Sequence, residues 1–253
     1  MEVHAHSHLA SGETHTERKK WYHYIWEFLM LFLAVFAGFL AENQREHYIE
    51  HQREKQYIRS LIKDIETDTV NIRKMMGWYK YIERSCDSLL NDFGSIGKFY
   101  TVKSGRLFSN IINGYPDFIY SDRTMQQLKN AGGLRLIRNL TAVDSIMNYD
   151  ARVRDILLEE EIIDVYWQKL NEFANTFLNY RRGDEQTKIK TREQLEKEKI
   201  NFWMFTDAKD AEHLYNMIRY YNRTIRNYMR QLSELKNNGA GLITQLNNQY
   251  HIN

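Results

Sequence analysis

The run from Trp21 to Ala41, "WYHYIWEFLMLFLAVFAGFLA", holds one acid, Glu27, and no lysine or arginine, and it constrains this chain more than any other stretch. At ~1.5 Å per residue, a helix of that length reaches about 32 Å, enough for the hydrocarbon core of a bilayer. Between Ile25 and Leu40, ten Ile, Leu, Phe and Val side chains each favour insertion by about 0.3–0.6 kcal/mol, against at most about 3 kcal/mol for the off-centre acid. A transmembrane helix over residues 18–41 is therefore expected. A cytosolic core helix would show a polar face, which this run lacks. A secretory signal is the competing reading, because Val35-Phe36-Ala37 loosely fits a small-residue cleavage site. Helical signal that continues through the site, and the aromatic residues crowding it, argue against cleavage.

Trp21, Tyr22, Tyr24 and Trp26 sit behind Arg18, Lys19 and Lys20, a combination that suits a cytoplasmic interface. On the other flank Arg45, Arg53 and Lys55 lie farther out and are mixed with acids. The amino terminus is expected inside and the large domain outside. At about 100° per residue, Glu27, Leu31, Ala34, Gly38 and Ala41 fall within roughly 40° of one line. Glu27 thus shares a face with Ala34-x-x-x-Gly38, a small-residue spacing that lets transmembrane backbones approach closely. Two roles are open to the acid: reaching back about 9 Å by helical rise toward Trp21 and the interface, or turning inward at a helix–helix contact, protonated or paired.

One proline and 12 glycines leave little of the punctuation that strands and hairpins require, which points to an all-α chain. The 35 basic and 33 acidic residues give a net charge of +2 without a basic patch, so a nucleic-acid partner is excluded as an expectation. Cys86 stands alone and cannot form an internal disulfide, which fits a reducing cytosol or a periplasm equally well.

The opening "MEVHAHSH", the span "EFLMLFLAVFAGFLAENQREH", the following "EKQYIRSLIKDIETDT" and the later "LKNAGGLRLIRN" resemble a family of uncharacterised single-span bacterial inner-membrane proteins. The resemblance covers most of residues 1–150 and is most specific in the span and in the "GGLRLIRN" element. It implies a membrane anchor followed by a helical domain and brings no reaction, cofactor or partner. With the charge asymmetry above, it places the expected domain in the periplasm.

After a polar stalk over residues 42–57, apolar residues recur at 3-4 spacing through Ile58, Leu61, Ile65, Ile72, Met75, Tyr79, Ile82, Cys86, Leu89 and Phe93. The spacing returns from Leu140 to Tyr180, through Val143, Ile146, Val153, Leu157, Ile163, Tyr166, Leu170, Phe173 and Phe177. It returns again from Leu214 to Leu235, behind a helix start at Thr206 or Asp207. The stripes are wide, which suits a bundle better than a two-stranded seam. Helices of about 54, 61 and 46 Å, at ~1.5 Å per residue, are expected to lie as an elongated antiparallel up-down three-helix bundle over 58–253. Residues 94–139 become a distal insert, with a short helix capped by Ser121 or Asp122 and closed by Gly132. The connection over 181–206 then returns toward the membrane. With seven basic and five acidic residues before Phe202-Trp203-Met204-Phe205, it reads as a solvated linker leading into an aromatic cluster.

Several motifs compete with blander readings. His47-Tyr48-Ile49-Glu50-His51 matches the H-x-x-E-H string of one zinc-peptidase class, in which two histidines one turn apart hold the metal. It lies on the polar stalk without an apparent cleft or third ligand, so an ordinary solvated helix face is expected. His4, His6 and His8 are weak metal candidates in a tail over residues 1–17 that nothing preorganises. "GSIGKF" lacks the glycine spacing and the Ser/Thr of a phosphate loop. Glu159-Glu160-Glu161 has no E-x-x-H partner, which disfavours a di-iron bundle. Tyr220, Tyr221 and Tyr228 read as core and rim residues. Asp68 interrupts the first stripe one turn after Asp64. An arginine or lysine from a neighbouring helix is the expected partner, because an isolated buried charge is costly.

No catalytic residue, cofactor or small-molecule substrate follows from these motifs. The expected function is a membrane-anchored, non-enzymatic helical scaffold or sensor that self-associates or docks a membrane protein partner, with Glu27, Ala34, Gly38 and Ala41 as its packing face. The alternative is an ion-coupled component of a membrane complex, in which Glu27 carries a proton.

Overall fold

A computed structural model describes residues 18–93, 102–130, 132–178 and 207–252. Its helices are α1 (Arg18–Phe93), α2 (Val102–Ile112), α3 (Arg123–Asn130), α4 (Leu140–Phe177) and α5 (Ala208–Tyr250), with a 3-10 turn at Gly133–Leu136 before α4. No strand occurs among the described residues, as the scarcity of proline and glycine predicts. Two compact units divide at Arg53 and Glu54.

In the first unit, the described residues belong to α1. In the part of this helix apolar enough to cross a membrane, no residue is buried among the described residues. Leaving such a run of Phe and Leu in water would forfeit about 1.5–3 kcal/mol for each large apolar side chain.

The second unit is the expected bundle, built from α1 after Glu54 together with α4 and α5. Ile58, Leu61, Ile65, Ile72, Met75, Tyr79, Ile82, Cys86 and Leu89 are all buried, so the first stripe reads directly as core. In α4 the stripe passes through Ile156 while Leu157 is 37% exposed, and Leu140 at the helix start is 76% exposed. The run "DILLEE" offers adjacent apolar residues, and packing chose the one in phase with Val153 and Ile163. Asp207 caps α5, accepting the Lys209 N–H at 3.0 Å. The helix runs on past Leu235 to Tyr250, longer than its sequence stripe, because Gly239, Leu242, Leu246 and Tyr250 continue the buried face.

Contacts set the directions of the helices. Asn222 and Arg226 of α5 meet Asp87 of α1, while Tyr250 meets Glu54, so α5 runs antiparallel to α1. Asn227 meets Glu159 and His213 lies beside Phe173, so α5 is antiparallel to α4 as well. Tyr149 of α4 reaches Asp68 of α1, and the Tyr228 partnered by Glu160 lies against Tyr79. α1 and α4 therefore run in the same sense, whereas consecutive up-down helices would alternate.

The expected insert makes this possible. Tyr115 reaches Asp164, Phe118 reaches Glu160, Ser121 reaches Asp68, Thr124 reaches Asp64 and Arg138 reaches Glu54. Instead of capping the far end, residues 115–130 and 132–138 form a strap that returns along the bundle from the level of Tyr79 and Asp164 to the Glu54 end, where α4 begins. Gly132 follows α3 at φ +68°, as the left-handed helix end requires, and a Cβ on the next residue, Gly133, would lie 3.1 Å from Leu128 Cα. Residues 181–206 lie outside the described residues. The helices they join end near Phe93, where the Phe93 and Tyr215 rings are 5.5 Å apart.

Candidate functional site

The face expected from the sequence lies on the unpartnered part of α1. Glu27 Oε1 is 3.1 Å from His23 Nε2, one turn earlier, and both side chains are exposed. Ala34, Gly38 and Ala41 are exposed, and a Cβ on Gly38 would meet nothing within 4 Å. Phe28, Phe32 and Phe36 stack at centroid distances of 6.4 and 5.9 Å, on a side centred roughly 140° round the helix from Glu27. The span thus presents two unlike surfaces: bulky stacked rings on one side, and small residues below a polar pair on the other.

Among the described residues of the bundle Glu54, Asp64, Asp68, Glu83 and Asp150 are buried and Glu160 is half-buried; of these the sequence singled out Asp68 as a break in an apolar stripe. Asp68 accepts the Ser121 N–H at 2.9 Å and the Tyr149 hydroxyl at 3.1 Å. Its expected Arg or Lys partner does not occur among the described residues: it accepts from a backbone amide and a phenol, and burial raises its pKa above the ordinary aspartate value, with those hydrogen bonds opposing the rise. Glu54, placed by sequence on the solvated stalk, is 2% exposed and accepts from Arg138 N–H and Tyr250 hydroxyl, each at 2.9 Å. Glu160 accepts the Phe118 N–H at 2.6 Å and the Tyr228 hydroxyl, and burial raises its pKa too. Asp150 is charge-paired, with Lys129 Nζ at 2.5 Å and the Arg154 guanidinium.

A common geometry emerges. Glu54, Asp68 and Glu160 each join a tyrosine hydroxyl on α4 or α5 to a backbone N–H on the strap side. Residues Gly114–Asp122 are non-helical and have no strand beside them, so their buried donors need side-chain acceptors. Thr124 N–H, at the start of α3, likewise goes to Asp64 of α1 at 3.2 Å. The acceptor at that helix start comes from α1 rather than from the locally expected Ser121 or Asp122 side chain. Asp122 contributes its carbonyl, which accepts from Gln126 N–H at 2.8 Å.

Of these carboxylates, Glu54, Asp68, Asp150 and Glu160 each accept at least two donors from the chain. Tyr221 and Tyr228 are fully buried and Tyr220 is 57% exposed, the core-and-rim division expected of them. Tyr79 and Tyr228 pack edge to face at 5.1 Å, and burial pushes both phenols far above the ordinary tyrosine pKa. Cys86 is fully buried, which raises its thiol pKa in the same way.

His47 and His51 are exposed on α1, with His47 Nδ1 3.9 Å from Glu50 Oε2. Among the described residues no three His, Cys, Asp or Glu side chains converge as a metal site. His4, His6 and His8 lie outside the described residues. No protein-family model, curated protein or solved structure matches this chain.

Proposed function

We propose that the chain is a membrane-anchored, non-enzymatic helical scaffold or sensor that self-associates through residues 18–41. In this reading it belongs with the single-span bacterial inner-membrane proteins that its span and "GGLRLIRN" element resemble. The supporting observation is the wholly exposed apolar part of α1, with Glu27, Ala34, Gly38 and Ala41 gathered opposite the stacked phenylalanines. Small residues let a second helix approach closely, and an acid in hydrocarbon is stabilised by turning into such a contact.

The test is crosslinking in native membranes followed by mass spectrometry. Gly38→Ile and Glu27→Leu should weaken the same assembly; if neither does, the span is only an anchor. The proposed orientation has the amino terminus in the cytoplasm and the bundle in the periplasm, supported by Arg18, Lys19 and Lys20. A reporter fused after Asn253 reads it directly.

The His23–Glu27 contact favours a second reading, an ion-coupled component of a membrane complex that moves a proton through Glu27. Glu27→Gln would then abolish function with assembly intact. An unchanged phenotype ends that idea.

A further inference from the structure

A groove of about 710 Å³ lies between α4 and α5. Its walls include the carboxamides of Asn148, Asn237, Asn238 and Gln245 and the opposite charges of Arg152 and Asp155, with Ala151 and Leu242 among them. Each carboxamide offers two donors and an acceptor, so the surface is dense in hydrogen-bonding capacity and carries no net charge. Gln245 Nε2 is already shielded from water and has no acceptor among the described residues. A shielded donor of this kind, like Gln249 Oε1 one turn on, is stabilised by a partner that enters the groove, whether water or a ligand.

Gly241 lines the groove in the interior of α5, where glycine is the least favourable residue after proline. Packing does not require it, since a Cβ there would meet nothing within 4 Å. Gly239, two residues earlier, is the opposite case, with Ile65, Thr69 and Tyr149 all within 3.3 Å of the added carbon. The open space in front of Gly241 belongs to the groove.

We infer that this groove binds an extended, uncharged polar peptide segment of a partner through its main chain. Along α4 the lining runs from Ser145 to Asp155, about 15 Å of helix, which matches four or five extended residues at ~3.3 Å each. A peptide main chain supplies one donor and one acceptor per residue, in keeping with a wall of carboxamides. A glycan fits less well: the one aromatic residue among the lining residues, Tyr149, is buried with its hydroxyl on Asp68, which leaves no exposed ring for a sugar to stack on. The inference rests on the reading of the chain as an interaction module and gives that module a partner chemistry.

The probe is a phage-displayed library of random heptapeptides, panned on the full chain in lipid nanodiscs after subtraction on empty nanodiscs. Selected peptides should bind Gly241→Phe at least about ten-fold more weakly than the native chain. Trp78→Ala, on an exposed position of α1 outside the groove, should bind them as the native chain does. Gln245→Ala and Asn148→Ala give the same reading should Gly241→Phe fold poorly. Peptides that bind all three groove variants unchanged overturn the proposal. So does a library that yields nothing above empty nanodiscs, or a groove occupied by maltotriose and not by peptides. The crosslinking of Gly38→Ile reports on self-association alone, so failure there is separable from failure here.

Discussion

The Tyr250 hydroxyl donates to Glu54 Oε1 at 2.9 Å, joining residues 196 positions apart. The same oxygen takes the Arg138 N–H, so one carboxylate gathers the approach to α4 and the end of α5 onto α1. Tyr250→Phe removes the donor alone and should lower stability by about 1 kcal/mol. Glu54→Ala orphans two buried donors and should lower it by about 2–4 kcal/mol. Urea unfolding followed by far-UV circular dichroism measures both. Equal effects would mean that Glu54 is held by solvent.

Asp68 separates hydrogen bonding from charge. Asp68→Ala strands the Ser121 N–H and the Tyr149 hydroxyl and should destabilise by about 2–4 kcal/mol, whereas Asp68→Asn keeps an acceptor and should cost far less. The folded pKa of Asp68 lies above its unfolded value, so its contribution to stability is fully present below the unfolded pKa and is lost as pH rises through the folded one. The stability of the native chain relative to Asp68→Asn should therefore fall from acid toward neutral pH. A flat or rising difference contradicts this.

Two glycines of α5 should respond in opposite directions to one methyl group. At Gly239 the added carbon lies 3.0 Å from Ile65, 3.2 Å from Thr69 and 3.3 Å from Tyr149, and Gly239→Ala should cost about 1–3 kcal/mol through overpacking. Gly241→Ala meets open space and should gain up to about 1 kcal/mol from helix propensity. Thermal melting distinguishes them by the sign of the shift.

Cys86 is a reporter of bundle opening. Burial and the neighbouring Asp87 and Glu83 carboxylates hold its thiol protonated, with Arg226 opposing them. Iodoacetamide should leave the native chain unlabelled and label it in step with the urea transition. Prompt labelling without denaturant would mean that the packing of α1 against α5 opens locally.

Much of the fold was legible in the chain. The buried face of α1 follows 3-4 spacing residue by residue and that of α5 does so with Ile218 buried in place of the expected Met217, and Asp207 and Gly132 act at the helix ends where their chemistry places them. The register of α4 was less legible because Ile156 and Leu157 are both apolar and adjacent. Of the buried carboxylates only Asp68 stood out, because it interrupts an apolar stripe. Glu54, Asp150 and the half-buried Glu160 sit among charged neighbours and look solvated until their distant partners are known. The groove was illegible for the same reason: its carboxamides come from two helices about 90 positions apart, and each looks like an ordinary polar surface residue.

By itself the amino-acid sequence determined the elements: an apolar helix long enough to cross a bilayer, a helical chain with almost no breakers, and the apolar stripes from which a bundle follows. These depend on local periodicity and on the transfer of side chains out of water, both of which act over a few turns. Only the tertiary structure decided the path. The strap returns along the bundle, α4 runs with α1, and carboxylates tens of positions away accept its amides, because a partly buried non-helical backbone must find its acceptors in space.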